Sequence, residues 1–416
     1  YYGDLRYARK VSGVWQVQTL DHREDPGSRA SLTIDGRGQA HIAYKVDYTG
    51  RSLRYTTFQT PTGWLSTTVD LRLAGFAGDY VSARTDAAHQ PRIGYYGGTY
   101  GGLRYSELTG TTWVSVTIAG DLQTNMTGRN TSLALAHDGA PHLGYAGVTT
   151  LSQIGYAKRV AGAWQTQNVE GFGGCGYTAL ALTGADQPRL AYCFGNTVRY
   201  AAWNGAAWVK SSVVTTTLPP AHIDLVLDSA DTPHISYQDA GATNLHYATL
   251  QGGAWLTETV DPAANTGLYS AITVNLSGTV YISYYDPGAQ NLNVAWRTAG
   301  GWITQTVASG IGVLTAKTTL AAAPTGAIGI AFYDAWRHDL KLAASGIFTT
   351  GGGGGGGEGG GVVTDCTNAA DFLAKVGGGG RVIFACDGVL VIPAVTITAT
   401  TVISAAGHDV TLSGGG

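Results

Sequence analysis

Aromatic and acidic side chains stand close together at several places along the chain. The residues that could contact a ligand are Tyr48, Tyr96, Asp239, Tyr285, Asp286, Asp334 and Trp336. Tyrosine and tryptophan rings stack on the apolar faces of sugars, and carboxylates accept hydrogen bonds from sugar hydroxyls. This combination predicts a glycan-binding surface. The competing interpretation is that each Tyr-Asp pair ends a strand and begins a turn.

The four cysteines fall into two close pairs, Cys175 with Cys193 and Cys366 with Cys386. Paired cysteines in an otherwise cysteine-free chain predict two local disulfides and an oxidising compartment. A metal site is the alternative. It is disfavoured because no CxxC motif occurs and no histidine stands at ligand spacing beside either pair. We therefore expect neither a metal nor a cofactor.

A repeat of about 45 residues supplies the elements that would position these side chains. Its clearest marker is a tryptophan after a short turn, at Trp15, Trp64, Trp113, Trp164, Trp208, Trp255 and Trp302. Each unit holds four short strands: A (Ser-Leu-Ala-Leu type), B (Pro-His-Ile-Ser-Tyr), C (Leu-Arg-Tyr-Ala) and D (Trp-x-x-x-x-Val). Four such strands make one propeller blade. We expect the small apolar strand A near the axis and the tryptophan of strand D between neighbouring blades.

Seven A–B pairs predict an all-β, seven-bladed β-propeller over residues 1–348, closed by a strand from the N-terminus. The chain opens with a surplus C strand at residues 4–9, which leaves eight blades open. In an antiparallel blade the A–B and C–D turns share one face, which we call the turn face. The B–C and D–A loops share the other, the loop face. The D–A loops are long and varied, at residues 21–29, 71–80, 120–129, 170–176 and 214–221. Variation above a constant scaffold predicts that the loop face binds the ligand.

Histidine and aspartate also recur at equivalent repeat positions. Asp35 and Asp228 end strand A, and His41, His142 and His234 begin strand B. We interpret the aspartates as caps of the A–B turns and the histidines as polar anchors for the carbonyls of those turns, in preference to a metal ring. The Asp-boxes that mark sialidase-type propellers are absent. We therefore assign no catalytic residue, and we leave open whether the chain is an enzyme while favouring that it is not.

Residues 1–345 resemble bacterial extracellular propeller repeats of the form LRYA, GxW, TVD, SLALD and GxPHISYYD. Matching segments are Leu53-Arg54-Tyr55, Gly63-Trp64, Ser132-Leu133-Ala134-Leu135 and Pro233-His234-Ile235-Ser236-Tyr237. The resemblance implies a secreted bacterial propeller. It implies no single activity, because one fold hosts many functions.

A different composition begins near residue 349. Residues 351–361 are glycine except Glu358, so 349–361 is predicted to be a linker. Beyond it, residues 365–376 form a candidate helix, and five short strands follow. Three segments, 378–384, 402–407 and 410–414, resemble the first coils of a right-handed parallel β-helix of the pectin-lyase type. We expect residues 362–416 to be its cap and first coils. About two coils leave an open edge, which predicts that the protein continues or that another chain covers the edge.

Charge narrows the partners. Charged residues are 13 % of the chain and the net charge is −3, which argues against nucleic acid and anionic membranes. The sequence contains no apolar run of 18 residues, so it predicts no membrane-spanning helix. The leading hypothesis is an extracellular or cell-surface binding or structural module, such as an adhesin, with a glycan or cell-surface protein as partner. Self-association through the open β-helix end extends it. The alternative is a polysaccharide lyase or glycoside hydrolase whose catalytic coils lie outside this sequence.

Overall fold

A computed structural model describes most of the repeat region and part of the C-terminal region. The described residues are 5–11, 14–21, 26–46, 52–59, 63–71, 77–97, 102–120, 127–147, 153–312, 318–323, 328–334, 339–345, 361–363, 372–373, 380–384, 386, 388–392, 401–404 and 410–414. The chain divides into two compact units, Tyr1–Gly351 and Gly352–Gly416. Within the described residues, no helix is long and apolar enough to cross a bilayer.

Two strands, β1 (Leu5–Val11) and β2 (Val14–Asp21), precede six sheets of four consecutive strands, which we number blades 1 to 6. Blade 1 holds β3 (Pro26–Ile34), β4 (Ala40–Val46), β5 (Leu53–Gln59) and β6 (Gly63–Asp70). Blade 2 holds β7 (Asp79–Thr85), β8 (Pro91–Tyr96), β9 (Leu103–Thr109) and β10 (Thr112–Ala119). Blade 3 holds β11 (Thr127–Leu135), β12 (Pro141–Gly147), β13 (Ile154–Val160) and β14 (Ala163–Glu170).

The remaining blades keep the same order of strands A, B, C and D. Blade 4 holds β15 (Gly174–Leu182), β16 (Pro188–Phe194), β17 (Thr197–Trp203) and β18 (Trp208–Thr215). Blade 5 holds β19 (Ala221–Leu227), β20 (Pro233–Asp239), β21 (Asn244–Gln251) and β22 (Ala254–Asp261). Blade 6 holds β23 (Leu268–Val274), β24 (Val280–Asp286), β25 (Asn291–Thr298) and β26 (Gly301–Ala308). The pairing within each blade is antiparallel.

Both ends of the first unit meet in a sheet of five strands. β27 (Thr319–Ala322), β28 (Ile328–Asp334) and β29 (Asp339–Ser345) supply strands A to C, and β1 and β2 follow in the order β27-β28-β29-β1-β2. The propeller fold is thus confirmed, but the expected seven four-stranded blades are corrected to six, with a closing sheet of different build. The reason is the surplus C strand: β1 starts no eighth blade but pairs in parallel with β29.

Burial explains the order of the strands. Strand B lies between A and C and is covered on both faces, so Ile42 and Tyr44 of β4 are fully buried. Strand D lies at the rim, and in β22 the exposed Leu256 alternates with the half-buried Trp255. That tryptophan packs edge-on against Tyr200 of the previous blade, with ring centroids 5.2 Å apart. The same contact recurs at four further pairs, Tyr55–Trp113, Tyr105–Trp164, Tyr156–Trp208 and Tyr247–Trp302. The predicted interblade role of the tryptophan is confirmed.

Hydrogen bonds between the A strands join neighbouring blades around the axis. A side chain of one A strand accepts the backbone N–H of the next: Ser31 from Ala83 at 2.9 Å, Ser82 from Leu133 at 3.0 Å, and Ser132 from Leu180 at 3.0 Å. Thr319 of the closing sheet accepts from Leu32 of blade 1 at 3.0 Å. The short polar residues of strand A therefore join the ring where its two ends meet.

The second unit contains parallel strands. β30 (Gly361–Val363), β31 (Gly380–Phe384) and β33 (Thr401–Ser404) form one sheet, and β32 (Gly388–Ile392) pairs with β34 (Val410–Gly414). Of the predicted helix only Phe372 and Leu373 lie in the described part of the chain, and both are helical. Cys386 is disulfide-bonded, whereas Cys366 lies outside the described residues.

Candidate functional site

A central cavity of about 590 Å³ runs among the seven A strands. Residues that begin these strands line its opening on the loop face, and we call them the mouth residues. They are Arg29, Tyr80, Asn130, Tyr177, His222 and Tyr269. Each is half-buried, so each combines a fixed position with an accessible surface. The seventh equivalent position, Lys317, lies outside the described residues.

Four of the mouth residues have an unusual backbone conformation that sets the direction of their side chains. Tyr80, Asn130, His222 and Tyr269 have φ angles of 53°, 46°, 53° and 56°, in the left-handed region. Irregular pairing between strands A and B places a bulge at the same point, for example between Asp79 and Ser82. Residues other than glycine rarely adopt this conformation, and bulges re-aim side chains beside functional sites. Repetition of the strained conformation in four blades marks the mouth as a place where side-chain direction matters.

Ring contacts join the mouth residues to one another. The His222 ring lies edge-on to Tyr177 on one side, with centroids 5.2 Å apart, and to Tyr269 on the other, at 4.6 Å. Farther round the ring, the Arg29 guanidinium lies over Tyr80 at 4.6 Å from the ring centroid. Asn130 Nδ2 donates to the Gly176 carbonyl of the next blade. The arrangement offers aromatic faces and hydrogen-bonding groups to one ligand.

Charge at the mouth is positive around one carboxylate. Arg29 Nε and Lys45 Nζ both lie 3.0 Å from Asp79 Oδ1. Burial raises the pKa of the Tyr177 hydroxyl, with Tyr269 and Tyr80 acting in the same direction and Arg29 opposing them. Burial likewise raises the pKa of Tyr269, which Arg29 opposes. Both hydroxyls therefore stay protonated at neutral pH and can donate hydrogen bonds to a ligand.

The predicted ligand residues occupy other places. Tyr96 is 5 % exposed and lies behind Tyr80, at a centroid distance of 6.4 Å. Tyr285 is 1 % exposed and donates to the Gly312 carbonyl at 2.6 Å. Neither buried ring offers a face to a sugar here, because strand B is covered on both sides. Tyr96 therefore supports the mouth from behind.

The acidic members of that prediction build turns. Asp239 Oδ1 accepts from the backbone of Gly241 at 2.8 Å, and Asp286 Oδ1 accepts from Gly288 at 2.9 Å. These bonds fit the competing turn interpretation, while the other carboxylate oxygen of each residue remains a candidate ligand contact. Tyr48 and Trp336, and the side chain of Asp334, lie outside the described residues.

The repeat contained a signal that could have located the mouth. At one position of strand A, the repeat carries a polar or aromatic residue that differs from blade to blade: Arg29, Tyr80, Asn130, Tyr177, His222 or Tyr269. A variable, polar or aromatic position inside a constant strand indicates a surface that is not part of the core. The mouth lies on the loop face, which the sequence predicted to bind the ligand, while the mouth residues themselves were missed.

One predicted disulfide lies next to the mouth. Cys175 of β15 is bonded to Cys193 of β16, which confirms that pairing. The bond fixes the start of the strand that carries Tyr177. Among the described residues, no cluster of three or more His, Cys, Asp or Glu side chains has the geometry to hold a metal ion.

Comparison with known proteins gives likeness of fold. No family model and no curated protein matches the chain. An ulvan lyase of polysaccharide lyase family PL25, solved with a GlcA(1-4)Rha3S saccharide, superposes with a TM-score of 0.56 at 13 % identity, over 75 % of this chain and 92 % of the lyase. A mutant Aleuria aurantia lectin bound to alpha-methyl-L-fucoside gives 0.47 at 13 % identity, over 78 % and 98 %. AofleA from Arthrobotrys oligospora gives 0.48 at 11 % identity, over 70 % and 87 %. At these identities the likeness concerns the fold alone.

Proposed function

We propose that the chain is an extracellular or cell-surface glycan-binding protein whose propeller holds a saccharide at the mouth of its central channel. The observation that carries this proposal is the repeated positive-φ conformation of the mouth residues. Aromatic rings and protonated hydroxyls around a cavity of about 590 Å³ suit a sugar, since such sites combine apolar walls with a few placed polar groups. The ulvan lyase with a similar fold is a polysaccharide lyase and was solved with a bound saccharide.

The second unit would act as a stalk or assembly element. Its parallel pairing, β30-β31-β33 and β32-β34, supports the first coils of a β-helix. An edge of parallel strands is a template for further pairing, which supports self-association or a continuing chain. Purified protein that sediments only as a monomer at every concentration would contradict self-association.

A glycan array tests the proposed function directly. Wild-type protein should bind a restricted set of saccharides, and the double variant Y177A/Y269A should lose at least about tenfold in affinity, equivalent to about 1.4 kcal/mol. The matched control is L276A on the turn face, where Leu276 is 81 % exposed and in contact with solvent. No saccharide bound by the wild type, or equal binding by Y177A/Y269A, would overturn the proposal.

Carbohydrate cleavage is the second candidate. His222 between two tyrosines is the observation that favours it, because a titratable imidazole beside a sugar site can act as general base. Incubation with each array ligand should then release reducing ends or an unsaturated product detected by ultraviolet absorbance. The H222Q variant should bind the saccharide and release nothing. Binding without product in the wild type would leave the protein a lectin.

A further inference from the structure

The wall of the channel contains an arginine, Arg84, whose guanidinium makes few hydrogen bonds with the described residues. Arg84 of β7 lines the cavity together with residues from the other A strands. Among the residues that the structure describes, its guanidinium donates one hydrogen bond, from Nη1 to the Ala83 carbonyl at 2.8 Å. The equivalent positions in blades 1 and 3 are Thr33 and Ala134, so the ring geometry does not require an arginine here.

A charge inside a protein is costly unless it is paired. Burial lowers the pKa of the Arg84 guanidinium, while the charge of Asp224 opposes that shift. Asp224 belongs to blade 5, across the channel from blade 2, and its Oδ2 already accepts the backbone N–H of Ile272 at 3.0 Å. Nε and Nη2 of Arg84 therefore remain to hold an acceptor that enters the cavity.

The charged residues of the channel favour an anion. Arg29 and Arg84 line the cavity against one acid, Asp224, in the described part of its wall. At the opening, two cations share a single carboxylate oxygen of Asp79. A planar guanidinium binds a carboxylate or sulfate through two parallel hydrogen bonds, which fixes both the charge and the orientation of the ligand.

We infer that the channel takes an acidic saccharide, with the carboxylate or sulfate of one sugar residue bound by Arg84 and the sugar rings held by Tyr177 and Tyr269 at the mouth. This inference rests on the proposed function and names its ligand class. The aromatic mouth supplies affinity for the sugar. The arginine inside the channel selects the acid over its neutral analogue.

Matched pairs of glycans separate affinity for the sugar rings from selection of the acidic group. The array carries uronic acid oligosaccharides beside their methyl esters, and sulfated oligosaccharides beside their desulfated forms. Wild-type protein should prefer the acidic member of a pair by at least about tenfold. R84Q should bring that ratio close to one by weakening the acidic member, whereas Y177A/Y269A should weaken both members. R84K, which keeps the charge without the fork, should retain an intermediate preference.

Each outcome bears on a different statement. Acidic and neutral members bound equally well by the wild type, or an acid preference that R84Q retains, would overturn the acidic ligand at Arg84 and leave the glycan-binding function in place. No bound glycan at all would overturn both. Thermal unfolding in sodium sulfate and in sodium chloride of equal ionic strength tests whether an inorganic anion occupies the site. A sulfate-specific rise in Tm that R84Q removes, without any acidic glycan bound, would overturn the saccharide and identify an inorganic anion as the occupant.

R84Q also needs a test of folding. Its Tm should equal or exceed that of the wild type, because removal of a poorly paired, partly buried charge relieves a desolvation cost. A loss of acid preference in R84Q at unchanged Tm then reports on the ligand site. An R84Q protein that unfolds more readily would show that Arg84 stabilises the ring, and this would contradict its assignment to a ligand.

Discussion

The two faces of the propeller use similar residue types for different purposes. On the turn face, polar side chains bond to one another. Asp35 Oδ1 accepts the backbone N–H groups of Arg37 and Gln39 at 2.9 and 2.8 Å, and its Oδ2 lies 2.9 Å from His89 Nδ1. At the mouth on the loop face, the aromatic rings and hydroxyls are half-buried, and four of the mouth residues have a strained backbone conformation. Polar side chains paired with one another indicate scaffold, and strain with accessible polar groups indicates a ligand site.

Cavities on the two faces differ in the same way. A wider hollow of about 730 Å³ lies on the turn face between blades 2 and 3. The charges around it are paired internally: Arg159 with Glu107 at 2.9 Å, Arg92 with Asp86 at 2.7 Å, and His137 with Asp186 at 2.8 Å. The channel, by contrast, contains Arg84 with donors to spare. Volume alone therefore does not identify the site, whereas a guanidinium that has no ion pair among the described residues does.

The largest expected effect is on stability and comes from the turn face. D35A removes two charge-assisted hydrogen bonds and leaves His41 and His89 without their carboxylate, so we expect a loss of about 4 kcal/mol in unfolding free energy. The matched control is D138A in blade 3. Asp138 is exposed and accepts one backbone bond, from Ala140, so its loss should be below about 1 kcal/mol. Urea unfolding measures both. Equal losses would break the distinction.

The disulfide beside the mouth should affect stability and binding together. Its two cysteines are 18 residues apart. Replacing both by serine should lower the free energy of unfolding by about 3 kcal/mol, because the unfolded chain gains conformational freedom without the bond. The replacement should also weaken glycan binding, because the start of β15 is no longer held in place. Chemical denaturation and the glycan array measure the two effects. Unchanged binding in the double serine variant would show that Tyr177 does not depend on this bond.

Acid should destabilise the turn face through its buried histidines. Burial lowers the pKa of His142 from 6.5 to about 4, with Lys158 acting in the same direction. Since the unfolded chain binds the proton more tightly, stability is present above pH 6.5 and is lost as the pH falls toward 4, by about 2 kcal/mol at pH 5. Burial also lowers the pKa values of His41 and His234.

Denaturation at about pH 7.5 and about pH 5 measures this loss, because these values lie on either side of the ordinary histidine pKa of about 6.5. H142Q should flatten the profile, because the uncharged amide can still bond the Tyr156 hydroxyl that lies 2.6 Å from His142. The control is H137Q, since the side chain of His137 is 75 % exposed. Identical profiles for H142Q and wild type would contradict the buried, neutral histidine.

The smallest expected effect tests the strain at the mouth. Y269G should be more stable than Y269A by about 1 kcal/mol, because both lose the ring and only glycine relieves a φ of 56°. Tyr177 is the matched control, since it is not among the described residues with positive φ. There the order should reverse, with Y177G less stable than Y177A. Thermal unfolding of the four variants decides, and the same order at both positions would remove the evidence for strain.

The scaffold could be predicted from the sequence because its interactions are local or repeat with the chain. The Asx caps at Asp35 and Asp228 follow from spacing alone, and they are confirmed by bonds to the residues two and four positions on. The histidines were also predicted as anchors, but their partners are wrong. His41 and His234 bond the hydroxyls of Tyr55 and Tyr247 on strand C, not turn carbonyls.

The mouth residues were missed because they come together only on ring closure. Tyr177, His222 and Tyr269 come from three blades and meet only when the A strands converge on one axis. Loop residues such as Tyr285 looked like ligand contacts because strand ends are rich in Tyr and Asp, yet this ring is buried. The five-stranded closing sheet escaped prediction for a related reason, since β1 fits either a new blade or the outer edge of β29.

Hydrogen–deuterium exchange with and without the best array ligand tests the central claim most directly. Bound ligand should slow exchange at the starts of the A strands, around Tyr80, Tyr177, His222 and Tyr269, and leave the turn at Asp35–Gln39 unchanged. Protection confined to the A–B turns, or to the hollow between blades 2 and 3, would contradict a ligand site at the mouth of the channel.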